Sequence, residues 1–253
     1  MAQILYTYKD GVYANLTNKC NCRCTFCIRF QHDGIGDAPT LWHKVNPTWN
    51  QVKKAIDAFD FTGFQELVFC GYGEPTCALP LLEQTARYVR RLHPGLNLRL
   101  NTNGLGSLEN GRDIVPELAG LLDSVSISLN APDEKEYNRV TKPTLTGAYK
   151  AMLDFAKACK KSIPDTRMTV VDVLSPEDIE KSRKVAASCG IKLRVRKFGW
   201  RAPAYWIVLL TKTKKFPLSL ISPKGTFFIS VKFTVVKVAL CEEFFNRFKT
   251  ELF

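Results

Sequence analysis

Two spacings of apolar residues take turns along residues 12 to 198. Short runs rich in β-branched or alternating apolar residues predict strands: VYANLT (12–17), ELVFCG (66–71), LNLRLNTNG (96–104), SVSISLNA (124–131), RMTVVDV (167–173) and KLRVRKF (192–198). Between them, apolar residues recur at helical spacing. TWNQVKKAIDAF (48–59, with Thr48 as N-cap), LPLLEQTARYVRRL (79–92), DIVPELAGLL (113–122), the stretches 133–140 and 146–160, and a segment from Ser175 to about Cys189 predict helices. A helix between two strands returns the chain to the same sheet edge, so the strands should run parallel. Six such units predict an α/β fold, either a closed or partly open barrel or a doubly wound sheet. The reading adopted is a partial (β/α)6 TIM-like barrel, whose chemistry belongs at the carboxyl ends of the strands.

The unusual residues fall at those ends. NKCNCRCTFCIRF (18–30) follows the first predicted strand, GYGEP (71–75) the second and NTNG (101–104) the third. Ser126, Ser128 and Asn130 end the fourth, Asp172 the fifth, and Arg194 and Arg196 lie in the sixth.

Composition adds a contrast. The net charge is +12, but residues 201–253 carry +6 of it, and no Asp or Glu occurs from 201 to 241. The expected division is therefore 1–200 as the barrel and 201–253 as an atypical basic, β-prone C-terminal segment. Helices before it mix both charge signs, as solvated helix faces do. A nucleic-acid partner is accordingly not expected, although the basic, aromatic tail leaves a metal-stabilised nucleic-acid-binding module as an alternative. The N-terminus has no export signature and no run is long enough to span a membrane, so a reducing, cytoplasmic setting is expected. There, clustered thiols bind metal or do redox chemistry more often than they form disulfides.

Cys20, Cys24 and Cys27 form CxxxCxxC. Three thiolates on a short loop can hold three corners of a 4Fe–4S cube and leave one iron without a protein ligand. Cys22 offers a second register, CxCxxxxC, and Cys22 or His32 as a fourth ligand would complete a zinc site. Phe26 would give the cluster an apolar wall.

This cysteine pattern, with an aromatic residue before the last thiol, resembles the radical S-adenosylmethionine (SAM) superfamily. GYGEP resembles that superfamily's GGEP segment and NTNG its TNG turn. The resemblance covers about residues 10 to 200 and implies a 4Fe–4S cluster on Cys20, Cys24 and Cys27, with SAM as cofactor. It implies that Gly71 and Gly73 let backbone carbonyls approach the cofactor and that Glu74 holds its amino group. Asn101, Asn103, Ser126, Ser128 and Arg139 are further candidate contacts. The implied chemistry is reductive cleavage of SAM to a 5′-deoxyadenosyl radical, with a small flavodoxin- or ferredoxin-like electron donor and an unknown substrate. LNTNGLG, GRDIVPELAG, VSISLNAP and LRVRKFGW are most similar to the TatD-associated radical SAM proteins. A 7-carboxy-7-deazaguanine synthase-like or activase-like enzyme is the alternative within the superfamily.

Overall fold

The first strand, β1 (Leu5–Tyr8), is one that the hydrophobic pattern does not announce. It pairs antiparallel with β2 (Gly11–Ala14) as a tight hairpin. Four residues are too few for periodicity to be legible, and only the pairing with β2 defines them. The computed structural model describes residues 2–197, 218–222 and 225–229.

From β2 onward the chain alternates as expected. Helix α1 (Trp49–Ala58) leads to β3 (Glu66–Phe69), and α2 (Leu79–Leu92) to β4 (Asn97–Thr102). Two short helices, α3 (Gly106–Glu109) and α4 (Val115–Ala119), lead to β5 (Ser124–Ser128). Then come α5 (Glu134–Thr141), α6 (Ala148–Ser162), β6 (Asp165–Val171), α7 (Pro176–Ser188) and β7 (Lys192–Arg196). The sheet runs β1 to β7 in chain order, with β2 to β7 parallel, and among the described residues β7 is not paired back to the first edge. The fold is therefore an unclosed six-unit α/β barrel.

Register explains which face is greasy. Ala14, Phe69, Leu100 and Val125 lie side by side, as do Ile127, Met168 and Leu193. These rows point outward and meet Val52, Ile56, Leu82, Val89, Met152, Phe155 and Ala186 from the helices. The opposite face carries Tyr13, Arg99, Asn101, Ser126 and Ser128, all half-buried, and is concave and polar. Burial of the outward rows, at roughly 25 cal/mol per Å² of apolar surface, holds helices to sheet.

Some boundaries differ from expectation. The predicted strand 12–17 stops at Ala14, because the buried Asn15 leaves the ladder and sends Nδ2 to Leu41 O (2.8 Å). The predicted helix 113–122 is only five residues, with a separate turn of helix before it at Gly106–Glu109. The last strand ends at Arg196 rather than Phe198.

The chain divides into two units, Met1–Phe198 and Gly199–Phe253. In the second, β8 (Leu218–Ser222) and β9 (Gly225–Ile229) form an antiparallel pair. Apart from these two strands, the β-prone basic segment 201–253 lies outside the described residues, as does Trp200. Among the described residues, no helix is long and apolar enough to cross a membrane.

Candidate active site

The cysteine loop leaves the carboxyl end of β2 and is fastened on two sides. On one side it zips to the end of α5. The last carbonyls of a helix lack intrahelical partners. Here Thr141 O accepts from Arg23 N (2.9 Å) and Val140 O from Thr25 N (2.9 Å), while Thr144 N donates to Asn21 O (2.9 Å). On the other side Glu74 N donates to Lys19 O (2.8 Å), joining the loop to GYGEP at the end of β3.

Gly71 and Gly73 make that second junction possible. A Cβ on Gly73 would lie far inside contact distance of the Thr17 and Lys19 carbonyls, and one on Gly71 would collide with the Asn15 side chain. Their absent side chains thus admit the cysteine loop, a role that the motif did not disclose.

Cys20, Cys24 and Cys27 sit half-buried on this loop, and Cys24 acts electrostatically on both others. Burial pushes the Cys20 thiol up to about 12 and raises Cys27. Cys24 is lowered, first because the Cys22 thiol donates to it. Cys22 itself is buried, held protonated by that bond, and also accepts from Asn103 Nδ2 (3.5 Å). His32 is exposed. Arg29, which the sequence reading did not single out, favours the thiolates of Cys20, Cys24 and Cys27 by its charge. It braces the loop through Nη1 to Tyr72 O (3.4 Å) and Nη2 to Cys22 O (3.5 Å). Phe26 packs against the main core.

Glu74 is buried at the meeting of three segments. Its Oε1 accepts from Thr76 N (3.1 Å), Thr76 Oγ1 (2.8 Å) and Thr102 Oγ1 (2.8 Å). Among the described residues its Oε2 accepts only from Asn103 N (2.8 Å) and so keeps capacity for another donor. Burial raises its pKa, and these four bonds oppose the rise. Asn103 Nδ2 reaches Asn21 Oδ1 (2.6 Å), and Asn21 Nδ2 in turn donates to Glu109 Oε2 (3.1 Å). Asn101 stands on the concave face, acting on the half-buried Cys70 thiol and accepting from Arg99 Nη1 (3.2 Å). Ser126 lies beside Asn101 in register, and Ser128 one step further along β5.

Arg139 is placed elsewhere. Its side chain is exposed on α5 and grips Glu136 through Nε (2.7 Å) and Nη2 (2.5 Å). Tyr137, two residues before it and missed by the pattern reading, is buried, and its hydroxyl has no hydrogen-bond partner among the described residues. Cys22, Cys24 and Glu74 all act on it electrostatically, so it belongs to the same pocket.

These residues suit an iron–sulfur cube. Three thiols share one loop with a cation beside them, and a buried hydroxyl and a carboxylate oxygen keep hydrogen-bonding capacity. Among the described residues, no three His, Cys, Asp or Glu side chains converge as ligands of one ion. A cube instead gives each thiolate its own iron.

Comparison with known proteins agrees with this geometry. The Radical SAM superfamily model matches residues 14–186. GTP 3′,8-cyclase of Rhodococcus opacus is 31% identical over 129 residues, covering 51% of this chain and 34% of that protein. A probable GTP 3′,8-cyclase of Thermococcus kodakarensis is 27% identical over 183 residues, 72% of this chain and 54% of that one. The chain thus spans about a third to a half of the length of these curated relatives. Among solved structures, Streptococcus suis SuiB bound to precursor peptide SuiA superposes with a TM-score of 0.57 at 14% identity, over 77% of this chain and 40% of that one. A radical SAM methyltransferase from Sphaerobacter thermophilus gives 0.53 at 15%, over 76% and 57%. At such identities the likeness is one of fold.

Proposed function

Because this chain belongs to the radical SAM superfamily, we propose that it is an enzyme that holds a 4Fe–4S cluster on Cys20, Cys24 and Cys27 and cleaves SAM there. The observation that carries this is the junction of the cysteine loop with GYGEP at the carboxyl ends of β2 and β3, inside the matched span. Bound there and reduced, cluster and cofactor would supply the radical chemistry that removes a hydrogen atom from a substrate. The chain's own residues then have defined tasks. Arg29 offsets the negative charge of the thiolates. Glu74 Oε2 accepts from the cofactor's ammonium, while Oε1 fixes the carboxylate against Thr76 and Thr102. Asn101, Ser126 and Ser128 line the concave face toward which substrate and cofactor extend. Arg139, held on the outer surface by Glu136, has no part in this set. Tyr137 joins it.

The finer reading is a TatD-associated radical SAM protein, supported by the wording of the strand ends from LNTNGLG to LRVRKFGW. We place it in the reducing cytoplasm with a flavodoxin- or ferredoxin-like donor that docks on the exposed side of the loop, where Lys19, Ile28 and Phe30 stand. The similarity to GTP 3′,8-cyclases favours a second reading, a purine nucleotide as substrate.

Anaerobic reconstitution with iron and sulfide, then incubation with SAM and a strong reductant, tests the proposal. Four irons per chain and release of 5′-deoxyadenosine are expected. Stoichiometric zinc, or a full cluster without cofactor cleavage, would overturn it. Adding GTP and analysing products separates the second reading from the first.

A further inference from the structure

The concave face of the sheet carries four arginines, and they fall into two classes. Arg99 on β4 is held by Glu66 through Nε (3.0 Å) and Nη2 (2.7 Å). Arg167 on β6 is gripped in the same two-pronged way by Asp165. Glu66 and Asp165 are the first residues of their strands, so both carboxylates lie at the amino end of the barrel, away from the thiols.

Arg194 and Arg196 stand on the same face of β7, nearer its carboxyl end. Arg194 lies beside Thr169, which lies beside Ser128, and Arg196 lies beside Val171. Their outward neighbours Leu193 and Val195 confirm the facing, since Leu193 packs into the core with the helices. Neither guanidinium has a hydrogen bond or ion pair among the described residues. Arg196 acts electrostatically on or with Cys70 at the end of β3, Arg99 on β4 and Tyr13 on β2. Its charge therefore reaches across the concavity to the wall on which the cysteine loop is mounted. The Arg194 and Arg196 side chains are both exposed, as a group that receives a ligand from solvent must be.

Two like charges side by side, with an ion pair to neither among the described residues, oppose each other. The same sheet shows the alternative, since it neutralises its other two arginines with bidentate carboxylates. Arginine forks recognise planar and tetrahedral oxyanions in two-pronged fashion. We infer that Arg194 and Arg196 together bind an anionic oxygen group of the substrate, a phosphate or a carboxylate, at the mouth of the barrel. The Ser126 and Ser128 hydroxyls on the same face offer it further donors. The inference deepens the radical-enzyme reading and rests on it for the word substrate, but the anion site stands on its own geometry.

The full chain, before and after reconstitution with cluster and SAM, is titrated calorimetrically with pyrophosphate and separately with malonate. Saturable binding of at least one is expected, and the tighter of the two identifies phosphate or carboxylate. Arg196→Gln should weaken it about tenfold or more and Arg194→Gln in the same direction, while Arg196→Lys keeps part of it. Arg167→Gln, whose charge is already matched, should change it less than about twofold. Circular dichroism confirms that each variant is folded. No binding by the wild-type chain, or equal binding by Arg196→Gln, overturns the inference. So does a parallel loss of SAM affinity in Arg196→Gln with anion binding blocked by SAM, which would assign these arginines to the cofactor's own carboxylate. If no cluster forms, yet anion binding still depends on Arg196, the enzyme reading falls and the anion site survives.

Discussion

Glu74 accepts four hydrogen bonds, two from Thr76 and two from Thr102 and Asn103, and its Oε2 keeps capacity for another donor. A charge-assisted bond to an ammonium contributes about 1.5–3 kcal/mol. Glu74→Gln should therefore lower SAM affinity by about ten- to hundredfold while the cluster still assembles. Equilibrium dialysis with labelled SAM measures this. Because burial raises its pKa, Glu74 takes up its proton at a higher pH than an ordinary glutamate, and the neutral acid no longer attracts a cation. SAM affinity should thus fall on mild acidification in the wild type and stay flat in Glu74→Gln, and matching profiles would remove Glu74 from the cofactor pocket. At the thiols, Cys22→Ala should keep the cluster and Cys24→Ala should lose it, read by visible absorbance and iron content. Cluster assembly must displace protons from the raised Cys20 and Cys27 thiols, so its yield should increase from neutral to alkaline pH. The thiols, GYGEP and NTNG were legible in sequence because each is a short string of rare composition. Tyr137 and Arg29 were not. A tyrosine on an amphipathic helix and an arginine after a cysteine are ordinary in sequence, and only the fold brings them to the thiols.

Among the elements, the α/β alternation could be read because each strand buries one face under helices, which imposes the apolar spacing. The hairpin strand β1 escaped because its identity comes from a partner, not from a period. The short α4 was overdrawn for the opposite reason: apolar residues at helical spacing continue past Ala119, but Gly120 caps the helix there. The contact between the β3 turn and the cysteine loop is likewise a matter of pairing, visible only once Gly73 is seen against Thr17 and Lys19. Gly73→Ala should force these two segments apart. The expected result is a folded barrel by circular dichroism, a lower midpoint of thermal unfolding, and little or no cluster. Wild-type iron content in that variant would show that the close approach is dispensable.

At the scale of the whole molecule, the described barrel elements all end before Phe198, where the chain divides. A chain ending at Trp200 should therefore bind the cluster and produce 5′-deoxyadenosine at the rate of the full chain. Loss of both, with far-ultraviolet dichroism unchanged, would make residues 201–253 part of the working enzyme. The fastening of the cysteine loop to α5 and to GYGEP has a consequence for the protein's lifetime. Its backbone bonds join protein to protein, Arg23 and Thr25 to α5 and Lys19 to Glu74, so loss of a cluster breaks none of them. Oxygen can destroy a cluster, and the expected remainder is an ordered, refillable holder rather than an unfolded loop exposed to proteases. Repair then means delivering iron and sulfide to a standing mould, and one polypeptide can outlast several generations of its own cofactor.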